Sequence, residues 1–181
     1  SDGLIDLTEL QKAIRTDTVL VSVMYVNNEI GVIQPIKEIS TLTHENGVLF
    51  MTDATQAVGK IEIDVNDLGV DLLCFSGHKM YAPKGIGAFY VRNKTKLSPQ
   101  IHGGGHEQGL RSGTLNVPGI IALAKACEIA IEEMDLNKRN ISELKDKLET
   151  EFLKLQNTSL NGDSENRIFN TTNICFKGQD A

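Results

Sequence analysis

The chain has 181 residues, of which 40% are hydrophobic and 23% charged, as in a globular protein of one domain or one domain with part of a second. Its formal net charge of −6 argues against a nucleic-acid-binding surface, which requires a basic face, but is compatible with one small phosphate ligand. No apolar run approaches the roughly 18 residues of a membrane span. We therefore expect neither nucleic acid nor a membrane among its partners.

The first residues, SDGLIDLTEL, are acidic and mixed, unlike a signal peptide. The chain does not begin with Met, and its last residues, KGQDA, follow a strand-like run. We interpret it as an internal piece of a longer protein. We expect a cytoplasmic protein of bacterial type, with a mitochondrial location left open.

The first half alternates short apolar runs with helical patterns. Residues 18–24 (TVLVSVM) are rich in β-branched side chains and predict a buried strand. Residues 35–45 begin with Pro and carry apolar residues at helical spacing, which predicts a helix. Further strands are predicted at residues 48–51, 72–75 and 86–91, with a turn or short helix at 64–68. This alternation predicts an α/β fold with a mostly parallel sheet.

The second half begins with a glycine-rich stretch at residues 102–113 (HGGGHEQGLRSG). A helical region follows over residues 117–156, and we predict a break at 135–137 because about 40 residues is long for one globular helix. Residues 168–176 predict a strand. Because the composition shifts near residue 136, we predict one domain over residues 1–136 and the beginning of a second over residues 137–181.

Polar residues follow three successive predicted strands. Asn28 comes after the first strand, Asp53 and Gln56 after the second, and Ser76 and Lys79 after the third. In parallel α/β sheets, ligands bind outside the carboxyl ends of the strands. The sequence therefore predicts a cofactor site at this edge of the sheet.

Lys79 and Asp53 indicate which cofactor this is. An amine at a strand end, beside the possible cation His78, would have a lowered pKa and suit Schiff-base formation with a carbonyl group, although a surface lysine is the alternative. Asp53 could cap a helix or hold the proton on a pyridinium nitrogen. Both residues on successive strands favour pyridoxal phosphate (PLP), which needs them at opposite ends of one ring.

The remaining polar candidates each have a structural alternative. Ser76 and His78 offer donors that suit a phosphate, or they make local backbone hydrogen bonds. Asn28 could donate to a cofactor or substrate oxygen, or simply form a turn. His102 and His106 suggest a metal site, but the intervening glycines argue against a helix that holds both on one face, so we expect no metal.

The three cysteines, Cys74, Cys127 and Cys175, are an odd number without a CxxC spacing. A disulfide framework or a zinc knuckle is therefore a poor match. We expect all three to be buried thiols.

Four collinear segments carry a resemblance to a known family: SVMYVNNEIGVIQPI, DATQAVGKIEIDV, SGHKMYAPKGIGAFYVR and HGGGHEQGLRSGT. Together they closely resemble the cysteine desulfurases of the nitrogen-fixation and iron–sulfur-cluster type, in the class V aminotransferase family of PLP fold type I. The resemblance implies a three-layer α/β/α large domain with a mostly parallel sheet, followed by the start of a smaller α+β domain.

The resemblance also implies roles for individual residues. Lys79 matches the lysine that binds PLP as a Schiff base and shuttles the proton, with His78 beside it. Asp53 matches the acid on the pyridine nitrogen, and Gln56 matches the residue that bonds the ring oxygen.

Three further matches concern the phosphate and the substrate. Ser76 and His78 match phosphate-binding residues, and Asn28 matches an asparagine near the ring oxygen and the substrate. Thr114 matches a threonine that reaches the phosphate of the partner subunit's cofactor, which implies a homodimer.

The implied reaction converts L-cysteine to L-alanine and leaves a persulfide on a nucleophilic cysteine. The persulfide sulfur passes to iron–sulfur scaffold proteins or other sulfur acceptors, and it also serves tRNA thiolation. That cysteine lies beyond this chain in the family, so we expect the piece alone to be inactive. The alternatives are a selenocysteine lyase on the same scaffold, or a non-catalytic scaffold domain that retains the fold.

Overall fold

The computed structural model describes residues 2–179. Its main sheet has four strands in the order β1-β2-β3-β4. The first three are parallel and β4 is antiparallel to β3, which confirms an α/β fold with a mostly parallel sheet. The strands are β1 Leu20–Met24, β2 Leu49–Asp53, β3 Leu72–Ser76 and β4 Gly87–Val91.

Two helices accompany the first strands. Helix α1, Leu7–Ala13, begins where the Asp6 carboxylate accepts hydrogen bonds from two backbone N–H groups of the first turn. Helix α2, Ile36–Glu45, follows Pro35 and buries its apolar stripe against the sheet, as its periodicity predicts. The resulting core contains Ile36, Ile39, Phe50, Val70 and Leu73.

The other sheet face is partly open in the part of the chain that the structure describes, although Leu72 on that face is buried. Side chains alternate along each strand, so Leu20, Met24, Leu49, Asp53 and Phe89 share this face, and all five are exposed. The prediction of a buried strand over residues 18–24 is therefore wrong for β1. It is an edge strand of this sheet, and its outward side chains have no covering layer among residues 2–179.

A single helix, α3, runs from Val117 to Phe152 over 36 residues. The predicted break at residues 135–137 is wrong, because neither Gly nor Pro occurs from Ile120 to the end of the helix and nothing interrupts its hydrogen bonds. The domain boundary near residue 136 stays a prediction. Ile168 and Phe169, beyond that boundary, pack into the core of the main sheet.

A small antiparallel pair follows α3, formed by β5, Thr158–Leu160, and β6, Ile174–Phe176. The predicted strand over residues 168–176 is thus reduced to its last three residues. The Phe176 ring packs edge-to-face on Phe152, with centroids 5.7 Å apart, and fixes the pair to the end of α3. Between Asp2 and Gln179, no helix has the length and apolarity to cross a membrane.

Candidate active site

The carboxyl ends of β1, β2 and β3 meet at one edge of the sheet, where Met24 lies opposite Asp53 and Asp53 opposite Cys74. The structure places six of the seven predicted site residues at or just beyond this edge. Asp53 and Ser76 end their strands, and Asn28 and Gln56 lie in the turns that follow β1 and β2. His78 and Lys79 lie in a one-turn 3₁₀ helix, Gly77–Met80, directly after β3.

These side chains are accessible to a ligand. Asn28, Asp53, His78 and Lys79 are exposed, whereas Gln56 and Ser76 are half-buried. The edge therefore combines one accessible carboxylate, one accessible amine, and hydroxyl, imidazole and amide groups. This donor set can bind a ring nitrogen, an aldehyde carbon and a phosphate.

Thr55 joins the ends of β2 and β3 and was not identified from the sequence. Its backbone N–H donates to Asp53 Oδ1 at 2.8 Å, and its hydroxyl accepts a hydrogen bond from the Ser76 backbone N–H at 3.2 Å. It thereby fixes the carboxylate and the serine relative to each other. The polar run after Asp53 was visible, but the partner across the strands was not.

The 3₁₀ helix packs closely against α3 and the β4 strand. A Cβ at Gly77 would lie 2.9 Å from Leu123 Cδ1 and 3.1 Å from the Ile86 carbonyl oxygen, so only glycine fits there without displacement. Tyr81, at φ 66°, then ends the helix in the left-handed region. The backbone that carries Lys79 is thus fixed on both sides.

A cavity of about 520 Å³ lies between this helix and α3, and Lys79 lines it together with Lys60. Burial lowers the pKa of the Lys60 ammonium, and the positive charge of Lys79 lowers it further. None of the other six predicted residues lines the cavity. Lys79 therefore lies between the polar strand ends and this largely apolar cavity.

Asn28 projects from a tight turn after β1. The Asn27 side-chain oxygen accepts hydrogen bonds from the N–H groups of Glu29 and Ile30, and its carbonyl accepts one from Gly31. The turn is therefore ordered by its own residues, which leaves the Asn28 amide exposed.

Thr114 is exposed in the loop before α3, and within residues 2–179 no hydrogen bond joins it to the other six residues. The loop is closed internally. Ser112 Oγ accepts from the Gly105 N–H at 3.2 Å, and His106 Nδ1 accepts from the Gly113 N–H at 3.3 Å. Across the described part of the chain, no three His, Cys, Asp or Glu side chains come together as a metal site would need.

The three thiols are free and half-buried, so the prediction that they are fully buried is wrong. Cys74 lies on the open face of the sheet, and Cys127 and Cys175 lie on α3 and β6, where cover is partial. Burial raises the pKa of Cys74, and the negative charge of Asp53 raises it further; burial also raises the pKa of Cys127. Both are thereby kept as neutral thiols, which are weak nucleophiles.

Comparison with known proteins places this arrangement in a family. The family described as "Aminotransferase class-V" matches residues 1–181. The chain belongs to the class-V aminotransferase family. Solved structures agree with this assignment: a NifS-like protein superimposes with a TM-score of 0.91 at 40% identity, covering 97% of this chain and 48% of that one.

A second NifS-like protein, from Rickettsia africae, gives a TM-score of 0.92 at 34% identity over 99% of this class-V chain and 51% of its own. Two curated relatives are named cysteine desulfurases. The mitochondrial one of Arthroderma benhamiae is 52% identical over 178 residues, and IscS of Pectobacterium atrosepticum is 50% identical over 177. Each match covers 97% of this chain but only 35% and 44% of the relative, respectively. The chain thus spans less than half the length of these relatives.

Proposed function

We propose that this class-V chain forms the cofactor-binding part of a PLP-dependent cysteine desulfurase that converts L-cysteine to L-alanine. The observation that carries the proposal is that Asp53 and Lys79 lie at the carboxyl ends of neighbouring parallel strands, with the phosphate-type donors Ser76 and His78 next to Lys79 in the chain. The cysteine desulfurases quoted above, at 50% and 52% identity, give the reaction class. Because the chain spans less than half of them, the activity is proposed for the whole protein.

The residues at the strand ends fit PLP in chemical type and accessibility. An exposed carboxylate at Asp53 suits a protonated pyridine nitrogen, and an exposed amine at Lys79 suits an aldehyde. When bound, PLP supplies an electron-poor ring that accepts the electron pair released at the substrate α-carbon.

The chain's own side chains then hold the reactants. When PLP is bound, Asp53 would keep the proton on the ring nitrogen, and Gln56 would bond the ring oxygen. The Lys79 amine would hold the aldehyde carbon and would move the proton at the substrate α-carbon, with His78 adjacent.

The remaining residues would bind the phosphate and the substrate carboxylate. Ser76 and His78 would donate to the phosphate, and Asn28 would donate its amide to the substrate carboxylate or ring oxygen. Thr114, which has no hydrogen bond to these residues among residues 2–179, would reach the phosphate in the partner subunit of a homodimer. This assignment accounts for its exposure ahead of α3.

Sulfur leaves the substrate as a persulfide on a cysteine of the whole protein and passes to an iron–sulfur scaffold or to tRNA thiolation. The raised pKa of Cys74 and of Cys127 makes these two thiols poor nucleophiles, and in the family that the sequence resembles the nucleophilic cysteine lies beyond this chain. We therefore expect residues 1–181 alone to lack turnover. We place the protein in the cytoplasm, with a mitochondrial location as the alternative.

Borohydride trapping tests the proposal on the full-length protein that contains this chain. After incubation with PLP and reduction, mass spectrometry should find the pyridoxyl adduct on Lys79. Lys60 is the matched control because it lines the same cavity, so Lys60→Arg should retain the adduct and Lys79→Arg should lose it. An adduct on Lys60 would overturn the assignment of the Schiff base to Lys79. No adduct on either lysine would favour a non-catalytic scaffold.

A product assay then tests the substrate. The full-length protein should release alanine and sulfide from L-cysteine in the presence of a thiol reductant. Turnover restricted to selenocysteine would instead identify a selenocysteine lyase.

A further inference from the structure

The turn that carries Asn28 is held in place by a segment far away in the sequence, residues 161–173. Val32 forms an antiparallel bridge with Arg167. On either side of it, the Ile33 N–H donates to the Asn166 carbonyl at 2.8 Å, and the Ile168 N–H donates to the Gly31 carbonyl at 2.9 Å. The turn and the segment are therefore joined as a short two-stranded ladder.

Side chains strengthen this contact. Asn173 Nδ2 donates to the Glu29 carbonyl at 3.3 Å, one residue from Asn28. Gly31, at φ 72°, lies so close that an added Cβ would stand 2.7 Å from Thr171 Cβ. The backbone on the far side of Asn28 is thus fixed by residues of this segment in addition to the contacts of Val26 and Asn27 within the turn itself.

Arg167 gives the segment its shape. Its side chain is 2% exposed, and its guanidinium donates to the carbonyls of Asp163, Asn161 and Gly162. Its remaining nitrogen, Nη1, lies 3.9 Å from Glu149 Oε1 on α3, and Lys145 contacts the same carboxylate at 3.2 Å. A buried cation with three backbone acceptors holds a tight loop in one conformation, because removing it leaves those carbonyls without a donor.

We propose that Arg167 is a positioning residue for Asn28: it fixes residues 161–167 and, through the ladder at Val32, the turn that presents the Asn28 amide. The role of that amide rests on the proposed function, whereas the mechanical link rests on the contacts alone. Arg167 does not touch the reactants.

Hydrogen–deuterium exchange on the full-length protein tests the link directly. Arg167→Met should speed exchange of the amides of residues 27–33 by at least about tenfold, because the loss of even one of its three charge-assisted hydrogen bonds lowers local stability by that factor. Arg92→Met is the matched control, because Arg92 also donates to two backbone carbonyls, those of Val65 and Val70, away from the turn. Equal exchange of residues 27–33 in the two variants would overturn the proposal.

Kinetics test the consequence at Asn28. Arg167→Met should raise KM for L-cysteine about tenfold with a smaller change in kcat, the signature of lost ground-state binding, and Arg167→Lys should recover part of it. Arg92→Met should leave KM unchanged. Altered exchange without any KM effect would refute the role of Asn28 while leaving the ladder intact, and no turnover in wild type would refute the proposed function instead.

A second variant covers the case in which Arg167→Met does not fold. Asn173→Ala removes the donor to the Glu29 carbonyl and the acceptor of the Asn161 side-chain amide, and it leaves the Arg167 hydrogen bonds in place. It should speed exchange at residues 29–31 without lowering the unfolding midpoint of the rest of the protein. Unchanged exchange at residues 29–31 would contradict the proposal that residues 161–173 hold this turn in place.

Discussion

The hydroxyl of Thr55 offers the sharpest test of how the site is held together. Thr55→Val keeps the side-chain volume and the backbone N–H bond to Asp53, but it removes the acceptor of the Ser76 N–H. The bond is 3.2 Å long and only partly buried, so we expect a loss near the middle of the usual range, about 1 kcal/mol. The Ser76 N–H then lacks a protein partner.

The same loss should reach cofactor binding, because the hydroxyl ties together the strand ends that carry Asp53 and Ser76. Since 1.4 kcal/mol corresponds to a tenfold change, we expect the Kd for PLP to rise about fivefold. Urea unfolding of the apo form measures the first effect, and titration of the PLP absorption band measures the second. Both are to be done on the full-length protein.

Thr55→Ser is the matched control, because it retains the hydroxyl and loses only a methyl group. It should keep most of the affinity for PLP. If Thr55→Val matches wild type within about 0.3 kcal/mol, or if Ser and Val lose affinity equally, the hydroxyl bridge does not carry the effect.

Three further predictions concern stability. Phe50 is fully buried, so Phe50→Ala should lower the free energy of unfolding in urea by about 3–5 kcal/mol. A loss below about 1 kcal/mol would contradict the view that Phe50 is a main contributor to the core. A Cβ at Gly87 would lie 2.4 Å from the Phe75 carbonyl oxygen, so Gly87→Ala should cost roughly 1–3 kcal/mol; an unshifted thermal midpoint would show that the contact is relieved cheaply. Because the pKa of Lys60 is lowered in the folded protein, the unfolded chain keeps the Lys60 proton to higher pH than the folded chain does. The free energy of unfolding should therefore increase as the pH is raised from neutrality towards about 10.4. That gain should be smaller in Lys60→Met, and parallel pH curves for the two proteins would refute the shift.

The sequence predicted those parts of the fold that depend on local patterns. Short apolar runs located β1, β2 and β3, the first of them rich in β-branched residues, and the polar residues after them located the site edge. The predicted break in α3 was wrong because it rested on the length of the helical region. Helices end where Gly, Pro or a capping residue occurs, and residues 135–137 are compatible with a helix. The prediction that β1 is buried was wrong because a run of apolar residues does not reveal whether a second layer of structure covers the strand.

The connections within the site could not be predicted because they join residues distant in the sequence. Thr55 looks like one more polar residue until Ser76 lies across from it. Arg167 resembles any charged residue in a polar stretch, and only the folded chain shows it buried beside Val32. Side chains that present a ligand group are visible from motif and position, whereas those that hold the presenting backbone are visible only from packing.

The uninterrupted course of α3 determines where this molecule can bend. At 1.5 Å per residue the helix is a rod about 54 Å long. Thr114 precedes it by three residues, and Glu149, beside Arg167, lies in its last turns. A rod without a joint transmits rotation between its ends, so any hinge must fall near Asn116 or beyond Phe152. Movement of residues 161–167 beside Glu149 would then be transmitted to Thr114. If Thr114 reaches the partner's phosphate, as proposed above, such a movement would couple the two sites.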